Sequence, residues 1–123
     1  MIKVTFYRRN GVYYRFHEEG HSGLAEYGSD ILCAAISAMT MFIINTIEVA
    51  WESNVEYDID DETADITVTV RDALPESGAD EKKRYAISGL LYGYYLQLLD
   101  LTEDYYDYLS VKEVEECGGV RKQ

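Results

Sequence analysis

Two side chains in this chain can make and break an acyl bond together: the thiol of Cys33 and the imidazole of His21, twelve positions upstream. A thiolate is the nucleophile in such chemistry, and a nearby imidazole takes up and returns the proton. Ser29 has the side chain of a helix N-cap and Asp30 suits the positive end of a helix dipole, so a helix is expected to start there. That places Cys33 in the first turn, where four amides lack acceptors within the helix. Those amides favour ionised sulfur and can hold the oxyanion of a tetrahedral intermediate. His21 stands on a loop punctuated by Gly20, Gly23 and Gly28, which can bend the imidazole towards the sulfur. The competing reading is that Cys33 is a small buried hydrophobe, as cysteines often are.

Neighbouring positions carry two readings each. Asp30 can orient the second nitrogen of His21, or simply complement the dipole. Ser37, one turn beyond Cys33, can line the same pocket or bond within the helix. His17 reads as a solvated strand residue, and Cys117 falls in a tail, Glu115-Glu116-Cys117-Gly118-Gly119, that offers no base. Two cysteines and two histidines without a Cys-x-x-Cys pair give no metal-type spacing, so neither a metal nor another cofactor is expected.

The elements that would position these groups follow from periodicity. Ile2, Val4 and Phe6 alternate with polar residues, Asn10-Gly11 is a hairpin turn, and a second strand runs from Val12 to about His17 with Val12, Tyr14 and Phe16 on one face. The helix after Ser29 extends to about Ala50, with Leu32, Ala35, Ile36, Met39, Ile43, Ile47 and Ala50 at helical spacing. Its other side is also small or apolar (Ala34, Ala38, Met41), so cover on more than one face is expected. Residues 55–59 and 66–70 alternate around an acidic turn and form a second hairpin. A second helix spans about Asp80 to Leu101, with Ile87, Leu90, Leu91, Tyr94, Leu98 and Leu101 on one stripe, and a last strand covers about Tyr108 to Val114. The order ββαββαβ predicts one domain over residues 1–123 of the α/β (α+β) class, a mainly antiparallel, mixed sheet packed against two helices. Tyr92, Tyr94, Tyr95, Tyr105, Tyr106 and Tyr108 are expected to form an amphipathic surface suited to a homodimer.

The formal charge of −12 is unevenly spread. Up to Ile47 four acidic and four basic residues cancel, so the rest of the chain carries all of it. Such a field repels nucleic acid and attracts basic partners. The start of the chain has strand alternation rather than a basic segment followed by an apolar run, so no export signal is expected, and the cysteines are expected as thiols in the cytoplasm. Residues 31–47 are apolar enough to approach a membrane span, but Ser37, Thr40, Asn45 and Thr46 favour a buried helix.

Taken together, Gly20-His21-Ser22, the glycine-bearing stretch to Tyr27-Gly28, and Ser29-Asp30-Ile31-Leu32-Cys33-Ala34-Ala35-Ile36-Ser37-Ala38 resemble the ribosomal-processing cysteine protease family, Prp. That family's pattern is Gly-His-Ala, a loop, then Asp, two hydrophobic residues, Cys-Ala-Ala, a hydrophobic residue and Ser-Ala. The resemblance implies Cys33 as nucleophile, His21 as base, and Gly20, Asp30 and Ser37 in supporting roles. It also implies a homodimer in a bacterial cytoplasm. The substrate would be the short N-terminal extension of large-subunit ribosomal protein twenty-seven. Ser22 stands where the family usually has alanine. The alternative is a non-catalytic dimeric module that binds a basic ribosomal segment with Cys33 merely buried.

Overall fold

The computed structural model describes residues 1–20 and 27–116, and for residues 27–30 the backbone alone. Strand β1 (Ile2–Arg9) turns at Asn10-Gly11 into β2 (Val12–Glu19). Both turn residues have positive φ, 51° and 78°, which only Asn and Gly adopt readily. Helix α1 (Tyr27–Asn45) ends in a wider turn over Thr46–Ala50 and leads to β3 (Glu56–Ile59) and β4 (Ile66–Thr69). Asp60 ties that second hairpin: its carboxylate accepts the amides of Glu62 and Thr63 at 2.9 and 3.0 Å. Helix α2 (Glu81–Tyr105) is capped by Asp80, which accepts the amide of Lys82 at 3.1 Å, and β5 (Leu109–Glu116) closes the fold.

The ββαββαβ order is therefore as expected, in a mixed five-stranded sheet ordered β3-β4-β2-β1-β5. Only β1 and β5 pair in parallel; the other neighbours are antiparallel. Both helices lie on one face, reached by Phe6, Phe16 and Glu18 of the sheet. The core joins Ile2, Val4, Phe6 and Phe16 to Leu32, Ile36, Ile43 and Ile47 of α1 and Ile87, Leu91, Tyr94 and Leu98 of α2. Each such side chain contributes about 1.5–3 kcal/mol on burial.

Three expectations change. The register of β1 against β2 slips between Tyr7 and Arg8, a bulge that breaks strict alternation. Tyr13 thereby joins Phe6 and Phe16 beneath α2, stacking on Tyr92 at 5.1 Å, whereas Tyr14 packs under the guanidinium groups of Arg9 and Arg15. The expected tyrosine surface is accordingly divided: Tyr94, on the apolar stripe, is buried and Tyr95 meets Phe6 at 5.3 Å, while Tyr92 of α2 and Tyr106 just beyond it stay exposed. Finally, α1 is covered on one face only. Ala34, Ala35, Ala38, Met41 and Phe42 are exposed, because among the described residues the sheet and α2 lie on the opposite side of that helix. Ile31–Ala50 is long and apolar enough to cross a membrane, with a third of that stretch buried.

Candidate active site

The helix that carries Cys33 begins at Tyr27, two residues before the expected cap at Ser29. Cys33 is thus the seventh helical residue, in the second turn, and its amide belongs to the internal hydrogen-bond ladder. In a helix that begins at Tyr27 the amides without an acceptor in the helix itself are those of its first turn, so the first-turn oxyanion site proposed on sequence grounds is not at Cys33. The dipole effect, which falls off within the first turn, is correspondingly weaker there. Leu32 and Ile36 point into the core, and this rotation leaves Cys33 half-buried at the border of that core.

Cys33 is not sealed in hydrocarbon. It lines a cavity of about 450 Å³ between α1 and the β3–β4 hairpin. Ser37, four residues on and therefore on the same helical face, shares its wall with Thr40 and Met41. Ile59, Ala64 and Ile66 form the opposite wall. Of the expected site residues, then, the structure brings Cys33 and Ser37 together on one cavity. Asp30 lies on the α1 backbone in the turn before Cys33. His21 and Cys117 lie outside the described residues.

Gly20 closes β2 immediately before His21, and its identity has a local cause. Its φ is +90°, and a Cβ there would sit 2.1 Å from the carbonyl oxygen of Met1. Only glycine permits that approach. The residue therefore fixes where the chain departs towards His21.

One residue at this cavity was not singled out from the sequence. Glu18 is 1% exposed, yet it lines the cavity from the sheet side. Its carboxylate accepts the Thr40 hydroxyl at 2.8 and 3.1 Å and the Tyr94 hydroxyl at 2.7 Å. A carboxylate taken out of water needs such donors, and here one comes from each helix. Burial, and then the charge of Glu18, push the Tyr94 phenol well above its ordinary range, so it stays protonated as a donor. The signal was present: Glu18 falls two residues after Phe16, on the buried face of the strand. It was hidden because β2 was expected to end at His17, and in fact reaches Glu19.

Comparison with known proteins bears on the fold and the family. No curated protein matches the chain. The structure of SMU.848 from Streptococcus mutans is similar at 28% identity and a TM-score of 0.77, over 94% of this chain and 96% of that one. The essential ribosomal processing protease Prp from S. aureus, solved with a substrate peptide, superimposes with a TM-score of 0.76 at 19% identity, over 93% of this chain and all of that one. The same S. aureus protease with a covalently linked product peptide gives 0.72 at 22% identity, again over 93% of this chain and all of that one. The model of the cysteine protease Prp family matches residues 1–110, which takes in both hairpins, both helices and the stretch around Cys33. The sheet and the two helices are thus shared with these solved structures, and the chain belongs to the Prp family of cysteine proteases.

Proposed function

We propose that this cysteine protease removes the short N-terminal extension of large-subunit ribosomal protein twenty-seven, with Cys33 as nucleophile and His21 as base. The observation that carries the assignment is the position of Cys33, half-buried on the wall of an open cleft large enough for a peptide side chain. The S. aureus relative, whose fold this chain shares, holds a covalently linked product peptide, as a thiol nucleophile would leave.

In the proposed reaction the Cys33 sulfur, its proton passed to His21, attacks the scissile carbonyl carbon. The tetrahedral intermediate collapses, the C–N bond breaks, and the imidazolium protonates the departing amine. Water, deprotonated by the same imidazole, then attacks the thioester and frees the carboxylate and the thiol. Gly20 sets the departure of the His21 segment, and Asp30 and Ser37 support the pair from α1. The apolar wall of Ile59, Ala64 and Ile66, facing Met41, suits an apolar side chain beside the scissile bond. The hairpin that supplies this wall also carries Glu56, Asp58, Asp60, Asp61, Glu62 and Asp65, a field suited to a basic ribosomal protein.

A homodimer acting in the cytoplasm belongs to the same reading. The exposed apolar side of α1, with Phe42 61% exposed, adjoins a groove of about 240 Å³ shared with α2 and lined by Met39, Leu90, Gly93 and Gln97. A second copy would cover it. Mass spectrometry of the precursor protein incubated with this enzyme tests the activity. Cleavage within the extension is expected with wild-type protein and none with Cys33→Ala, and at least ~10²-fold slower cleavage with His21→Ala. Undiminished cleavage by Cys33→Ala would end the assignment.

A further inference from the structure

On the sheet face turned away from the helices, the strand register assembles a set of ligand atoms that the protease chemistry does not use. His17 pairs with Thr67 across β2 and β4, and Glu18 with Ile66. The next step of that register sets Glu19 beside Asp65. Because side chains alternate along a strand, His17 and Glu19 leave the sheet on the face opposite Glu18. The His17 Nε2 lies 3.5 Å from Glu19 Oε2, and the ligand atoms of His17, Glu19 and Asp65 all lie within 4.8 Å of one another. All three residues are half-buried.

We propose that His17, Glu19 and Asp65 form a binding site for a first-row divalent cation of the zinc type. The orientation of His17 is the independent support. Its Nδ1 meets the Thr67 hydroxyl oxygen at 2.8 Å, so Thr67 can accept the Nδ1 proton and leave the lone pair on Nε2, the nitrogen that faces the Glu19 carboxylate. A hydrogen bond of this kind from outside the ligand set fixes tautomer and ring orientation in metal sites. Charge also matches: a neutral imidazole and two carboxylates balance a divalent ion. The imidazole favours zinc, cobalt or nickel over calcium or magnesium, which take oxygen ligands.

The geometry needs little change. Ligands at about 2.1 Å from a tetrahedral zinc are about 3.4 Å apart, and the His17–Glu19 edge is already 3.5 Å. The remaining edges, at most 4.8 Å, close by carboxylate rotation. Three protein ligands leave a position for water. Lys3 pairs with Glu19 across β1 and β2 and so projects on the same face, where its ammonium competes with the ion. The site also has a structural consequence. It fastens β2 to β4 one residue before Gly20, at the end of the sheet from which the chain leaves for His21. The inference is independent of the substrate proposed above.

Calorimetric titration of the chelator-treated full-length protein with zinc chloride tests it, alongside the absorption spectrum with cobalt(II). One zinc per chain is expected, weakened at least ~30-fold by His17→Ala and ~10-fold by Thr67→Val, and tightened by Lys3→Ala. Zinc should raise the melting temperature of the wild type by ~5 °C, but not that of His17→Ala. A variant combining His21→Ala with Cys33→Ala should bind as the wild type does. Absence of zinc binding up to millimolar concentration overturns the site. So does binding that survives both His17→Ala and Thr67→Val, which would reflect the acidic surface alone, or binding lost with the Cys33 and His21 side chains, which would place the ion between those two.

Discussion

Gly20 and Gly11 form a matched pair that separates backbone strain from steric exclusion. Both have positive φ, +90° and +78°, so an alanine at either position pays about 1–2 kcal/mol for a left-handed backbone. At Gly11 nothing lies within 4 Å of an added Cβ, and that conformational cost is the whole effect. At Gly20 the added Cβ meets Met1 O at 2.1 Å, Met1 C at 3.0 Å and Ile2 Cα at 3.2 Å, all backbone atoms. Ordinary contact begins near 3.4 Å, so the two segments must part by about 1.3 Å. They resist, because the Ile2 amide is bonded to the Tyr108 carbonyl at 2.8 Å and β1 is paired on both sides. Overpacking of this kind adds about 1–3 kcal/mol. Gly11→Ala should therefore lower the melting temperature by roughly 4–10 °C and leave kcat/KM unchanged. Gly20→Ala should lose about twice the stability, and kcat/KM should fall by roughly 10²-fold, the effect of misplacing a catalytic group by about 1 Å. Calorimetry and peptide cleavage, run on both variants, check this. Equal losses of stability with equal, wild-type activity would refute the view that Gly20 positions the His21 segment.

Other outcomes follow from the same structure. Tyr94→Phe removes one donor from the buried Glu18 carboxylate and should cost about 1.5–3 kcal/mol in denaturant unfolding; a cost below about 0.5 kcal/mol would mean that Tyr94 does not stabilise the charge. Burial and neighbouring carboxylates hold the phenols of Tyr13, Tyr14, Tyr94 and Tyr95 above the ordinary value of 10.0. A raised folded pKa gives stability that is complete below the unfolded pKa and is lost as pH rises beyond it. Unfolding free energy should therefore fall above about pH 10, and these four phenols should ionise at higher pH than in the unfolded chain. A single phenol transition near pH 10 with circular dichroism unchanged would contradict this. For the dimer, Phe42→Glu should yield monomers in sedimentation equilibrium while the melting temperature of the isolated chain changes little. A wild-type protein that is monomeric at high micromolar concentration would remove the basis for that variant.

The parts of the fold that sequence exposed were those governed by local periodicity. Asn10-Gly11, the Ile87–Leu98 stripe and the two hairpins appear where spacing placed them, because turn chemistry and amphipathic faces act over a few residues. Cys33 and Ser37 on one wall could likewise be foreseen, since four residues make about one helical turn. The start of α1 was less legible. Ser29 and Tyr27 are separated by half a turn, and a capping side chain states a preference that the rest of the fold can override.

The bulge at Tyr14 and the buried Glu18 show why the remainder was hidden, and they share a cause. A strand's alternation predicts faces only while its register holds, and register is a property of the partner strand. The extra residue opposite Tyr7 and Arg8 is Tyr14 of β2, which turns Tyr13 inwards, and only the pairing with β1 reveals it. Glu18 is the converse case: alternation from Phe16 does place it inside, but a carboxylate there is unfavourable unless donors are known to be near. Those donors come from Thr40, which sequence marked only as a polar interruption of an apolar helix, and from Tyr94, which it placed both on the apolar stripe and in a tyrosine surface. Each residue looks misplaced when read alone. Only the three together are chemically consistent, and they join the sheet to both helices at the wall of the cleft that holds Cys33.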